Sequence, residues 1–192
     1  MRPPRPARTV RVLGVSIAGA EAEIVTVEAR CEAADPMGSM GRKRLEVVLS
    51  GLPDAVLRES KNRLVSALDE LGLGGRDRRL FLNLVPAGLR KSGEILDLPM
   101  ALAAAAAFGH LAPRALQGTV FLGEVGIDGR LHAVPGGLAA ADAARRAGLA
   151  CIVGPAATAG EAACLPGIEA WRADNLAAVV AWAARGGSGL AP

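Results

Sequence analysis

From Thr9 the chain alternates between branched apolar and polar positions. VRVLGVSI and AEIVTVEA, separated by Gly19 and Ala20, read as two strands joined by a hairpin turn. Residues 34–44 (ADPMGSMGRKR) mix glycine, proline and charge without a period and read as a loop, after which LEVVLS makes a third strand. Leu57, Leu64, Leu68 and Leu71 then recur at helical spacing, opposite a polar face of Arg58, Glu59, Lys61, Asn62 and Arg63. Pro53 suits the first helical position, where its missing N–H is no loss, and LGLGG ends the helix. RRLFLNLVP has the continuous apolar character of a buried strand, and residues 87–96 read as a connecting loop.

In the second half, Asp97 is the predicted N-cap of a helix LPMALAAAAAFGH, with Pro99 in its first turn and Gly109 near its end. GTVFLGEVGI is predicted as one strand that turns back through Asp128 and Gly129, a hairpin dipeptide. Helices over residues 138–147, 157–163 and 175–184 then alternate with the strands ACIVG and GIEAWR. Strands first, then β and α in alternation, predict an α/β (α+β) fold: a mixed sheet with helices packed against it. Residues 9–185 make one domain, between a basic, proline-rich tail (1–8) and a second tail (186–192).

Composition narrows the class. The chain has 192 residues, 51% of them hydrophobic, enough for a substantial core. Its longest apolar run, residues 98–108, is mostly alanine and falls short of the roughly 18–20 residues that span a bilayer. No apolar signal stretch follows the basic start, so a soluble cytoplasmic protein with no membrane partner is expected. Cys31, Cys151 and Cys164 are far apart and form no CxxC pair, which predicts free thiols. A net charge of +3 is mildly basic, and the cations are nearly all arginine, whose planar fork suits phosphate oxygens.

Three segments carry a family likeness. They are GLPDAVLRES (51–60), NLVPAGLRKSGEILDLPMALA (83–103) and FLGEVGIDGRLHAVPGGLAAA (121–141). In this order they resemble the signatures of magnesium-chelatase-like proteins of the competence type, the ComM/YifB family. The resemblance implies a Lon-protease-like, two-layer fold (also described as ribosomal-protein-domain-2-like), similar to the C-terminal part of the recombination ATPase RadA. It implies as partner a ring-forming AAA+ ATPase, in trans or in a longer chain, because no GxxxxGK[ST] phosphate loop occurs in these residues. It also implies self-association and a role with DNA, since competence-type members act in branch migration during natural transformation. Residues 34–44 make a longer connection than is usual in the family.

The Lon likeness raises the question of a Ser–Lys peptidase, in which a lysine activates a serine hydroxyl. The serine's place falls at Ile95, Leu96 and Asp97, and the lysine's at Ala139. No lysine follows Lys91, and Ser92 beside it is the remaining nucleophile. No catalytic, cofactor-binding or metal-binding residue is therefore assigned. His110 and His132 stand alone in their segments, and Asp54, Glu59, Glu94, Asp97, Glu124 and Asp128 lack the convergence a magnesium ion needs. The glycines of GEVGIDG and VPGGL follow no dinucleotide pattern. Glu124, in an apolar strand end, calls for a cationic partner among Arg58, Arg90 and Arg130.

Nucleic-acid contacts are placed on Arg42, Lys43 and Arg44 and on Arg76, Arg78 and Arg79, with Arg2, Arg5, Arg8 and Arg11 as a basic arm. Aromatic residues are 3% of the chain and tyrosine is absent, so such binding would follow the phosphate backbone rather than stack bases. The function expected is that of a non-catalytic accessory domain supporting assembly or DNA engagement by an AAA+ motor. A free-standing nucleic-acid-binding module and a divergent serine peptidase using Ser92 are the alternatives.

Overall fold

The computed structural model describes residues 9–33, 45–51, 54–75, 77–89 and 93–192. It opens with β1 (Val10–Ala18) and β2 (Glu21–Ala33), joined by a two-residue turn in which Gly19 takes φ 64°. Glycine at the first turn position gives the hairpin geometry that matches strand twist. Next come β3 (Glu46–Ser50), α1 (Asp54–Glu70), β4 (Arg78–Val85) and α2 (Gly93–Phe108). A 3-10 turn at Pro113–Leu116 leads to β5 (Thr119–Phe121), β6 (Glu124–Val125) and β7 (Leu131–His132). The chain continues through α3 (Gly137–Arg146), β8 (Cys151–Gly154), α4 (Ala156–Ala162), β9 (Glu169–Arg172) and α5 (Leu176–Ala184).

Seven strands form one sheet in the order β3-β4-β2-β1-β5-β8-β9, and β6 and β7 form a separate ribbon. β2 alone runs against its neighbours, and every other pairing in the large sheet is parallel. Tight hairpins can join only antiparallel strands, whereas parallel neighbours need a crossover, and α1 and α4 supply two. The result is the mixed sheet with packed helices that the order of elements predicts.

Helix α1 is amphipathic as its leucine spacing requires. Leu64, Ala67 and Leu68 are buried while Arg58, Glu59 and Asn62 face water. It ends where Gly72 takes φ 63° and the Leu73 N–H donates to the Leu68 carbonyl at 2.8 Å. Helix α2 is different, buried almost all round from Ile95 to Ala106. Its alanines let it approach β1 and β2 closely. A Cβ on Gly14 of β1 would lie 2.8 Å from Leu96 and 2.9 Å from Pro99.

Four expectations need correction. α2 begins at Gly93, so the loop expected over residues 87–96 is shorter and Asp97 is no N-cap. Asp97 sits inside the helix at 1% exposure, held by groups from other elements. Residues 118–127 are not one strand, because β5 stops at Phe121 and Gly123 takes φ 150°. The Gly123 backbone bonds α2 instead of continuing the sheet, donating to Ile95 and accepting from Leu98. Pro99 lies well inside α2 rather than in its first turn. Pro53 lies outside the described residues. Beyond α5, Ala191 makes an antiparallel bridge with Arg172 of β9.

Candidate functional site

Two carboxylates converge on one guanidinium where α1, α2 and β6 meet, and Glu94 adds its field. Arg63 of α1 places Nε 2.7 Å from Asp97 Oδ2 and 3.9 Å from Glu124 Oε1. Its Nη2 also reaches Asp97 Oδ1 and Ser60 Oγ, each at 3.4 Å. The Val125 N–H donates to Asp97 Oδ2 at 3.4 Å, so the carboxylate ties all three elements together. Burial pushes the Asp97 carboxyl up to about 6, against the opposing pull of Arg63, Val125 and Ser60. Burial also works against the Arg63 charge, but Asp97, Glu124 and Glu94 together outweigh it and raise its pKa.

Packing around this network is tight. Ser60 is fully buried, and Gly93 lies over it so closely that a Cβ there would collide with its Oγ and with Val56. Glycine at 93 thus lets α2 start against α1.

A groove of about 440 Å³ opens beside the network, lined by Ile17, Ile95, Glu94, Glu124 and residues 133–136. Its 133–136 wall is fixed from behind. Thr158 Oγ1 accepts from the Val134 N–H at 3.0 Å and donates to the Val134 carbonyl at 2.8 Å. Glu161 Oε2 accepts from the N–H groups of Gly136 and Gly137, at 3.1 and 2.7 Å, where α3 begins. A carboxylate at this place complements the helix dipole. A Cβ on Gly137 would collide with the Thr158 carbonyl, so the second glycine of VPGGL is a close-packing position.

The predicted positions distribute unevenly. Ile95 and Asp97 are buried, Leu96 is fully so, and Ala139 is half-buried on α3; none carries a hydroxyl or amine. Lys91 and Ser92 lie outside the described residues, as do Arg90, Arg76 and the Arg42, Lys43, Arg44 cluster. Arg78 is exposed, with Nη1 3.7 Å from the Cys31 sulfur, while Arg79 pairs with Glu46 at 2.8 Å. Arg11 belongs to β1 rather than to an arm, and pairs with Glu28 at 3.0 Å. Among the described residues, the partner of Glu124 is Arg63. Arg58 is exposed, and Arg130 lies 3.4 Å from Asp128 within its own turn. Arg63 was visible only as one of several polar residues on α1, because nothing local distinguishes the one that α2 will cover.

Other features are simpler. The three cysteines are free, and burial pushes the Cys151 thiol up. His110 and His132 are exposed. Among the described residues, no three His, Cys, Asp or Glu side chains gather as metal ligands would, and no helix is long and apolar enough to cross a membrane.

Comparison with known proteins agrees with the motifs. The family model for subunit ChlI of Mg-chelatase matches residues 38–158. An uncharacterized protein of Mycobacterium tuberculosis is 36% identical over 181 residues, 94% of this chain and 34% of its own length. The uncharacterized protein YifB of Escherichia coli is 34% identical over 107 residues, 56% of this chain and 21% of its own. The competence protein ComM of Haemophilus influenzae is 31% identical over 128 residues, 67% of this chain and 23% of its own. The chain therefore spans about a third or less of the length of these relatives. By the ChlI match and this likeness along nearly its whole length, the chain belongs to the magnesium-chelatase-like family of YifB and ComM.

Proposed function

We propose that this chain is the Lon-protease-like accessory domain of a magnesium-chelatase-like AAA+ system and that it works by binding and positioning, without breaking a bond itself. The observation that carries this reading is Asp97. At the place of a Lon-type nucleophile stands a buried carboxylate engaged by Arg63, flanked by the apolar side chains of Ile95 and Leu96. A nucleophile needs a hydroxyl or thiol beside a base and open to substrate; here the same backbone serves to lock α1, α2 and β6. The lysine's place is Ala139, which has no proton to accept or give. Partners in this reading are an AAA+ motor, in trans or in a longer chain, further copies of the domain, and DNA engaged by the assembly inside the cell.

The test combines the purified chain with a family motor lacking this region. ATP hydrolysis, assembly and branched-DNA binding are followed with and without the chain. The expected result is altered assembly or DNA-stimulated hydrolysis, with no cleavage of unstructured protein. Labelling by a serine-directed acylating probe that disappears in Ser92→Ala would replace this reading with the peptidase. Salt-sensitive DNA binding by the chain alone, lost when Arg42, Lys43 and Arg44 become alanine, would replace it with a free-standing nucleic-acid module.

A further inference from the structure

β9 is the last strand of the large sheet, and its bonds show which way its backbone groups point. The Glu169 N–H donates to the Ala150 carbonyl at 2.6 Å and the Ala173 N–H to the Gly154 carbonyl at 2.9 Å, both on the β8 side. Backbone groups alternate in direction along a strand, so those of Ala170 and Arg172 turn outward, to the edge of the sheet. Arg172 bears this out, because its N–H donates away from the sheet to the Ala191 carbonyl at 2.8 Å. The N–H and carbonyl of Ala170 have no partner among the described residues, although Ala170 is only 7% exposed. The Ile168 carbonyl also lacks one there, while its N–H donates to Leu165.

The segment after α5 closes part of this edge. It leaves the helix through Gly186 and Gly187, takes φ 98° at Gly189, packs Leu190 against the core and sets Ala191 opposite Arg172 in an antiparallel bridge. Among the described residues that bridge is its one pairing with β9, and Ala170 stays unpaired.

Such an edge is complementary to itself. Turned antiparallel about Ala170, two β9 strands exchange the N–H and carbonyl of their Ala170 residues, and each Arg172 N–H meets the Ile168 carbonyl of the second copy. In this register Arg172 stands opposite Ile168 and Glu169 opposite Trp171, so no like charges are opposed. A register centred on Arg172 would set the two arginines against each other. The Arg172 N–H serves either Ala191 or the second copy, which makes the two pairings exclusive.

We infer that β9 is a self-pairing edge covered by residues 186–192, and that release of Arg172 by Ala191 lets two copies of the chain join their sheets through Ala170. A two-fold contact of this kind uses the same patch twice and closes at two copies. The inference rests on the self-association proposed above and gives it a surface and a cover; the non-catalytic reading plays no part in it.

The experiment uses the full chain with Gly189→Val. Position 189 is exposed, and a branched side chain is strained at φ 98°, so the segment loses its path while the core is untouched. Sedimentation velocity over a concentration series measures self-association, and amide hydrogen exchange reports the edge. Gly189→Val is expected to speed exchange of the Arg172 amide at high dilution. It should also tighten self-association about tenfold or more, the size of one competing hydrogen bond. Association should then protect the Ala170 amide. Ala170→Pro, added to Gly189→Val, removes an N–H that pairs with no strand of its own chain and should return the monomer. Three results overturn the inference: an Arg172 amide as protected as in the parent, self-association no tighter than the parent's, or a dimer indifferent to Ala170→Pro. The motor assay judges the proposed function separately in each case.

Discussion

The carbonyl of Ile95 accepts the N–H of Gly123 at 3.2 Å, the bond that Pro99, four residues further along α2, has no N–H to make. The Leu98 N–H in turn donates to the Gly123 carbonyl at 3.1 Å. A proline inside a helix normally leaves a carbonyl without a partner and destabilises the helix. Here a glycine from a neighbouring segment supplies the partner, so the proline is accommodated and β5 is ended by the same contact. That exchange also sets Glu124 beside Arg63.

Gly123→Ala should therefore be strongly destabilising. The residue has φ 150°, and a Cβ would lie 2.9 Å from Pro155 Cδ. Backbone strain and overpacking together predict a loss of about 3 kcal/mol in urea unfolding. Pro155→Ala in the same chain should recover part of it. A variant as stable as the parent would show that Gly123 is not held as described.

Asp97 should give the protein an unusual acid dependence. Its folded-state pKa is raised to about 6 by burial, above the ordinary carboxylate value of the unfolded chain. The folded state then binds a proton that the unfolded state has released, so this group's contribution to stability falls as pH rises from about 4 to about 6 and is level above. Two pKa units correspond to about 3 kcal/mol. The difference between the parent and Asp97→Asn, measured by denaturant unfolding at each pH, isolates this group. Asp142 acts in the opposite sense, since Arg146 and Arg145 hold its pKa below the usual range. A parent-minus-variant difference that stays constant across this window would reject the assignment.

Arg63→Met tests the other partner. Removing the cation leaves a buried carboxylate without its charge complement, which predicts a loss of about 3–5 kcal/mol near neutral pH. Asp97→Asn added to Arg63→Met should restore much of that loss. Additive effects of the two substitutions would mean that they do not interact.

Thr158→Val keeps the side-chain volume and deletes both hydrogen bonds to Val134. A buried N–H and C=O left unpaired predict a loss of about 2–3 kcal/mol. Hydrogen exchange of the Val134 amide should accelerate more than that of the β8 amides, because the groove wall is released first. Uniform acceleration would indicate a purely global effect.

Local signals were readable where they depend on neighbours in sequence. The leucine spacing of α1, the glycine stop at Gly72, the Asp128 turn and the Gly19 hairpin all appear where spacing or turn chemistry places them. Asn175 was expected to open the last helix, and its Oδ1 caps α5 by accepting from the Ala178 N–H at 2.8 Å. The start of α2 was not readable. A helix buried on every side carries no amphipathic period, and Asp97 imitates an N-cap when its true partners are unknown. The break after Phe121 was hidden for a similar reason, since VFLGEV reads as an unbroken apolar strand and only the bonds to Ile95 and Leu98 and the packing against Pro155 show Gly123 turning.

The sequence by itself determined the family, the identity and order of most elements and the mixed character of the sheet, because motifs, periods and turns are properties of a few consecutive residues. Only the tertiary structure decided that, among the described residues, Arg63 rather than Arg58 or Arg130 stands by Glu124, that Asp97 is a buried tie rather than a cap, and that β5 leaves the sheet after Phe121. Each of these depends on which surfaces distant segments bring together, and on whether water is excluded there. A carboxylate's partner and a strand's neighbour are set by packing in space, which one-dimensional spacing does not contain.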